Sequence, residues 1–276
     1  MIEKRLKNKR YFHPSGKSSV YDLTVPPNWN QKMILFLHGY MGYKDWGAWH
    51  LMESFFVDRQ FGFLKFNFSH NGGTVDQPID FNDLESFSKN TYTKEMEDVT
   101  AILTELQHQL PGSKEIYLVG HSRGGGIAAL HGKHPAISKI ALLAPISSIE
   151  DRFPTGDALK KWQAEGVYYR LNGRTNQQMP HRYIQYEDYL QNMEQLDIEK
   201  ACRNTTIPFL VIHGANDTSV TPENGKKIAQ WSKGTFVLLE DTAHTFGAQQ
   251  PWDEKALPLA LRRACEELLD FFNSAS

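Results

Sequence analysis

A serine set among glycines, an aspartate and a histidine follow one another along this chain in an order that can do covalent chemistry. GHSRG, residues 120–124, matches G-x-S-x-G. In that pattern the serine sits on a strained turn between a strand and a helix, and its hydroxyl projects into a cleft. Side chains two positions before and after it would collide, so both positions are glycine. Gly125 and Gly126 extend the run, although each costs about 1 kcal/mol relative to alanine inside a helix. Their use predicts a helix packed closely on a sheet. The N-terminus of such a helix carries partial positive charge near Ser122, where an oxyanion would form.

A serine hydroxyl is a weak nucleophile without a base. Of the 11 histidines, His244 in LLEDTAHTFG lies just past the last apolar run, and the order Ser, acid, His selects it. His121 adjoins the serine but is expected to face away across the turn. His38 and His213 read as packed at strand ends, and His131 and His134 as solvated on a helix. The orienting acid is read as Asp217 in HGANDTSVTPENG, with Asp241, three residues before His244, as its rival. Two backbone N–H groups are needed for an oxyanion. One is assigned to Arg123 and the other to Tyr40 in LFLHGYMGYKDW, with Met41 as the second choice. The Arg123 side chain reads as a surface or structural ion-pair group. No histidine belongs to a metal-binding motif, and neither metal nor cofactor is expected.

The elements that must position these residues are legible as short, nearly continuous apolar runs at 33–37, 61–66, 116–119, 140–143, 209–212 and 236–239. Such runs mark strands buried on both faces, as in a parallel sheet. Between them Met96, Val99, Ile102, Leu103, Leu106 and Leu110 recur at helical spacing, as do Leu257, Leu261, Ala264, Cys265, Leu268, Leu269 and Phe272. Thr221-Pro222 reads as a helix start. Alternation of strands and helices predicts an α/β fold. SSVYDLTV and the earlier IEKRL are expected to add antiparallel edge strands.

Two segments break the rhythm. Residues 67–90 form a long polar loop of the kind that is usually functional or disordered in compact domains. Residues 146–205 read as an inserted cap on a single domain of 276 residues, with a hairpin around Asn172-Gly173. The cap is rich in tyrosine. Emerging at the sheet edge that carries Ser122, it is expected to wall an apolar pocket. Tyr168, Tyr169 and Tyr183 are its candidate substrate contacts.

The formal charge of −2 suggests neither nucleic acid nor anionic membrane as a partner. Cys202 and Cys265 have no metal-ligand spacing and read as reduced thiols. The charged start lacks the apolar stretch of a signal peptide, and no apolar run is long enough to span a membrane. These features give a cytoplasmic expectation and leave the oligomeric state open.

In order, LHGYMGYKDW, GHSRGG, HGANDTSVTPENG and DTAHTFG make the chain resemble the serine-type α/β-hydrolases, from about residue 32 to 272. The small cap after the fourth core strand resembles that of bacterial cinnamoyl/feruloyl-esterase-like carboxylesterases. The dienelactone-hydrolase-like group is close but uses cysteine as nucleophile. HNGG after FNFS departs from the G-H-G-x-S loop common in those esterases. The resemblance implies an α/β-hydrolase fold, a mostly parallel central sheet flanked by helices with a small cap, and hydrolysis of a small-molecule ester. A serine peptidase or amidase, with Glu187 and Asp188 as terminus anchors, and an acyltransferase are alternatives on the same triad. A non-catalytic ligand-binding relative is the alternative of another class. A dehalogenase would carry aspartate at the elbow.

Overall fold

The computed structural model describes residues 4–112 and 114–274. Strands β1 (Lys4–Phe12), β2 (Ser18–Val25), β3 (Lys32–Leu37), β4 (Gly62–Phe66), β5 (Glu115–His121), β6 (Ile137–Leu143), β9 (Phe209–Gly214) and β10 (Thr235–Leu239) form one sheet; β7 (Val167–Asn172) and β8 (Gln177–Arg182) form a separate hairpin. The sheet order is β1-β2-β4-β3-β5-β6-β9-β10. β1 pairs antiparallel with β2 and β2 with β4, and the remaining neighbours are parallel. Each apolar run thus became a strand of the parallel part. Of the proposed edge strands, β1 is at the edge and β2 is covered by it. Ile2 and Glu3 lie outside the described residues.

The helices are α1 (Trp49–Val57), α2 (Leu84–Ser88), α3 (Tyr92–Gln109), α4 (Arg123–Leu130), α5 (Gly156–Glu165), α6 (Ile184–Gln191), α7 (Ile198–Arg203), α8 (Pro222–Ser232) and α9 (Leu259–Asn273). Alternation along β3 shows how the sheet is covered. Met33, Leu35 and Leu37 pack with Val99, Ile102 and Leu106 of α3 and Ile127 of α4. Ile34 and Phe36 face the other way, into a core with Trp49 and Phe56 of α1 and Leu261, Leu268 and Phe272 of α9. Burial on both faces removes apolar surface from water at about 25 cal/mol per Å². It also leaves the loops at the carboxyl ends of the strands as the place for polar chemistry.

The hairpin forms as expected, with Asn172 opposite Gln177. At the ends of the inserted part, 146–205, Ile146, Ile149, Ile198 and Cys202 belong to the main core, and α7 packs on α4 and α8. Contrary to expectation, His131 is not solvated. It is buried, and its Nδ1 lies 2.8 Å from the Ile127 carbonyl oxygen, to which it donates. Burial pushes it down to about 4. Cys202 and Cys265 are both buried and unpaired. Among the described residues no helix is long and apolar enough to cross a membrane.

Candidate active site

Ser122 lies between β5 and α4 with φ 56° and ψ −117°, a region costly for any residue but glycine. Two features hold it there. Its N–H donates to the Leu143 carbonyl at 2.9 Å, and its carbonyl accepts from Gly125 and Gly126 at 3.0 and 3.2 Å. The flanking glycines are sterically required. A Cβ at Gly124 would lie 2.4 Å from the His38 carbonyl oxygen, and one at Gly120 would lie 2.3 Å from that of Gly124. Gly124→Ala is therefore expected to destabilise the protein by about 1–3 kcal/mol or more, read from urea denaturation. An unchanged midpoint would contradict this close packing.

His244 Nε2 is 3.0 Å from Ser122 Oγ, and His244 Nδ1 is 2.7 Å from Asp217 Oδ2. With Nδ1–H donating to the carboxylate, Nε2 carries the lone pair that faces the serine. Asp217 Oδ1 accepts from the N–H groups of Ser219 and Val220 at 2.9 and 3.0 Å. His213 Nε2 lies 3.3 Å from Oδ2 while donating to the Val220 carbonyl at 2.8 Å. Burial alone would raise the Asp217 carboxyl. The hydrogen bonds from His213, His244 and Val220 outweigh it and hold the group well below the usual carboxylate range. The loops carrying Asp217 and His244 are tied together, because Asn216 N–H donates to the Thr242 carbonyl at 2.9 Å. Asp241 is an exposed turn residue at φ 55° and does not contact His244.

The structure corrects the reading of His121. The ring does not face away. It packs 4.8 Å from the His244 ring, and its Nε2–H donates to the His244 carbonyl at 2.9 Å. Burial pushes His121 down to about 3, so it stays neutral and fixes the histidine loop. His38 and His213 are packed as expected. His38 also does more than fill space. Phe68 N–H donates to its Nε2 at 3.2 Å, and its Nδ1–H donates to the Gly39 carbonyl at 2.9 Å. Gly42 N–H donates to the same carbonyl at 3.1 Å. Because a trans peptide sets C=O and N–H on opposite sides, anchoring that carbonyl fixes the direction of the Tyr40 N–H. The Gly39 backbone lies against Ser122, since a Cβ there would be 3.1 Å from Ser122 Cβ. Arg123 is the first residue of α4, so its N–H has no acceptor within the helix.

The Arg123 side chain is a buried ion-pair group. Its Nε donates to Glu95 Oε2 at 2.8 Å, and its guanidinium lies 3.8 Å from the centre of the Tyr92 ring. It lines a small cavity beside the Tyr40 loop, together with Asn90, Glu95, His181 and Gln185. Met41 and Phe87 line it too, so its wall is part apolar and part polar. The cap reaches it through His181. Gln185 Nε2 donates to the Ser88 carbonyl at 2.9 Å, and His181 Nδ1–H donates to Gln185 Oε1 at 3.0 Å. Tyr40 O–H completes the chain by donating to His181 Nε2 at 2.7 Å. Burial holds His181 near 4, which keeps that nitrogen an acceptor.

None of the three cap tyrosines lines this cavity. Tyr168 stacks on His181 at 4.7 Å, one layer behind it. Tyr169 is 58% exposed, and Tyr183 packs on Trp162 at 5.3 Å within the cap. Strand alternation explains the split, because Tyr168 and Tyr169 point to opposite faces of the hairpin. Sequence reasoning missed Asn90, Glu95, His181 and Gln185, which are isolated polar residues without a motif. Glu187 is exposed, and Asp188 hydrogen-bonds to Thr93. Among the described residues no group of histidine, cysteine and carboxylate side chains could hold a metal ion.

Residues 34–256 match the family model described as the alpha/beta hydrolase family. No curated protein matches the chain. Among solved structures, Est1E from Butyrivibrio proteoclasticus, with ferulic acid bound, is 17% identical over 95% of this chain and 97% of its own, with TM-score 0.69. A putative hydrolase from Agrobacterium vitis S4 is 17% identical over 98% of both chains, with TM-score 0.70. A monoacylglycerol lipase from Paleococcus ferrophilus is 14% identical over 91% of this chain and 98% of its own, with TM-score 0.65. These likenesses establish the fold.

Proposed function

Since the chain belongs to the alpha/beta hydrolase family, we propose that it hydrolyses a small carboxylic ester through an acyl-enzyme on Ser122. The observation that carries this reading is the continuous line from Ser122 Oγ to His244 Nε2 and from His244 Nδ1 to Asp217. The fold neighbours include a protein from Rhodothermus marinus with a domain named an esterase and another protein named a lipase, which favours an ester over other acyl compounds.

The reaction runs in two halves. His244 Nε2 takes the Ser122 proton as Oγ attacks the ester carbonyl carbon, and the carbonyl π pair moves onto oxygen. The N–H groups of Tyr40 and Arg123 bind that oxyanion, with Met41 N–H as the second choice. Asp217, held ionised, stabilises the imidazolium. Collapse expels the alcohol, which takes the proton from His244. Water then repeats the sequence on the acyl-enzyme, and the carboxylic acid leaves. The residues themselves supply base, acid and oxyanion donors. In this reading the chain is one domain with a cap, a cytoplasmic enzyme acting on a small molecule and not on nucleic acid or membrane.

The test is a panel of p-nitrophenyl, hydroxycinnamoyl and aminoacyl-amide substrates with product analysis. Free acid released from esters supports the reading. Cleavage of amides alone would replace it with an amidase, and transfer to an added alcohol in preference to water would make the protein an acyltransferase. The cap is testable in the same assay. Tyr168→Ala, which removes the stacking partner of His181, is expected to change the kcat/KM ratio between an acetyl ester and a bulky aryl ester by about threefold or more. Tyr169→Ala should leave that ratio unchanged. The reverse ranking would put the substrate on the exposed face of the hairpin.

A further inference from the structure

The small cavity between the Tyr40 loop, α3, α4 and the cap has a specific hydrogen-bonding deficit. Most of its polar side chains are already committed. Glu95 Oε2 accepts from Arg123 Nε, and Glu95 Oε1 accepts from Asn90 Nδ2 at 2.7 Å. Both ends of the Gln185 amide, both nitrogens of His181 and the Tyr40 hydroxyl belong to the chain that runs to Ser88. Two atoms remain. Among the described residues Arg123 Nη2 and Asn90 Oδ1 are buried and have no partner. Asn90 is 9% exposed and the Arg123 side chain 11% exposed, so bulk water does not readily serve either. One is a charged donor and the other a neutral acceptor, set on either side of one carboxylate. A buried donor or acceptor left unpaired keeps its full desolvation penalty, so this pair favours an occupant that hydrogen-bonds to both.

The chemistry of the pair narrows what that is. A hydroxyl accepts from Arg123 and donates to Asn90. A carboxylate has no proton for Asn90 and would face Glu95. An ammonium group would face Arg123, and a methyl group satisfies neither. The cavity volume of about 20 Å³ holds one water-sized group, which excludes an aromatic ring. Its walls include the Gly39–Tyr40 backbone and Arg123. Those residues carry the N–H groups assigned to the oxyanion, which sets the cavity beside the acyl carbonyl in the ester-hydrolase reading.

We propose that this cavity receives a hydroxyl carried on a short acyl group, making esters of small hydroxylated acids the substrate class; this rests on the ester-hydrolase reading of Ser122. Arg123 and Asn90 then determine specificity. The preference for hydroxylated acyl groups is a difference between a satisfied and an unsatisfied pair of buried groups.

The experiment compares kcat/KM for methyl glycolate against methyl acetate and for each enantiomer of methyl 3-hydroxybutyrate against methyl butyrate. Each rate is divided by that of hydroxide-catalysed hydrolysis to remove intrinsic reactivity. The wild-type protein is expected to favour at least one hydroxylated ester by about tenfold or more. That preference is expected to fall about tenfold in Asn90→Ala and in Arg123→Met combined with Glu95→Gln, a pair chosen to leave no lone buried charge. If the double variant does not fold, Asn90→Ala and the normalised wild-type ratios decide. Serine-dependent hydrolysis with no preference in the wild type would overturn the inference and leave an ordered water only. A preference that both folded variants retain would also overturn it. Absence of any ester hydrolysis would remove the functional reading itself, a distinct result.

Discussion

Ser122→Ala is expected to lower ester turnover by about a million-fold, the loss typical of removing a nucleophile from a triad that acts as a unit. The protein should remain folded. Ser122 Oγ makes one hydrogen bond, to His244, while the N–H and carbonyl that hold the elbow belong to the backbone. Alanine keeps both. The measurement is turnover of p-nitrophenyl acetate beside a thermal melt of the same preparation. A fluorophosphonate probe should label the wild-type protein at Ser122, identified by peptide mass spectrometry, and should not label the variant. Substantial turnover by a folded alanine variant would transfer the reaction to another nucleophile, and the acyl-enzyme scheme would fall.

Asp217→Asn should lower turnover by about ten-thousand-fold. The carboxylate does two things that an amide cannot. Its Oδ2 receives the His244 Nδ1–H at 2.7 Å and so keeps the lone pair on Nε2, facing Ser122. It also carries the negative charge that stabilises the imidazolium as the serine proton moves. An asparagine that turns its NH2 toward Nδ1 selects the opposite tautomer and points a proton at the serine. Asp241→Asn should cost less than about threefold, because a change at an exposed turn residue with no contact to His244 perturbs little. Both variants are compared at matched folding. A larger loss at Asp241 than at Asp217 would show that the acid in the working enzyme is not the one the resting geometry pairs with His244. Suppression of both effects by Ser122→Ala would show that the two act through the same nucleophile.

The sequence alone determined the parallel sheet, the elbow and the order in which Ser122, Asp217 and His244 follow its strands. Each of those features is local. Apolar runs of strand length report burial on both faces wherever they occur. The glycines around Ser122 report a turn whose clearance is set within five residues. Asp217 and His244 follow successive apolar runs, and parallel strands deliver the ends of such runs to one edge of the sheet whatever lies between them. What the tertiary structure decided is the wall of the cavity. Asn90 comes from the turn before α3 and Glu95 from the first turn of α3, about thirty residues before the serine, and His181 and Gln185 come from the cap, about sixty after it. None has a periodic or motif signature, because a single buried polar residue is marked only by the partners it meets. The aromatic cap shows the same limit. Composition counts tyrosines, but the face each takes is set by the hairpin's register, and it is a histidine that reaches the Tyr40 hydroxyl. His121 shows the limit most sharply. It lies next to the nucleophile in sequence, but its contact with the His244 carbonyl exists only because β5 and the loop after β10 converge at the same edge.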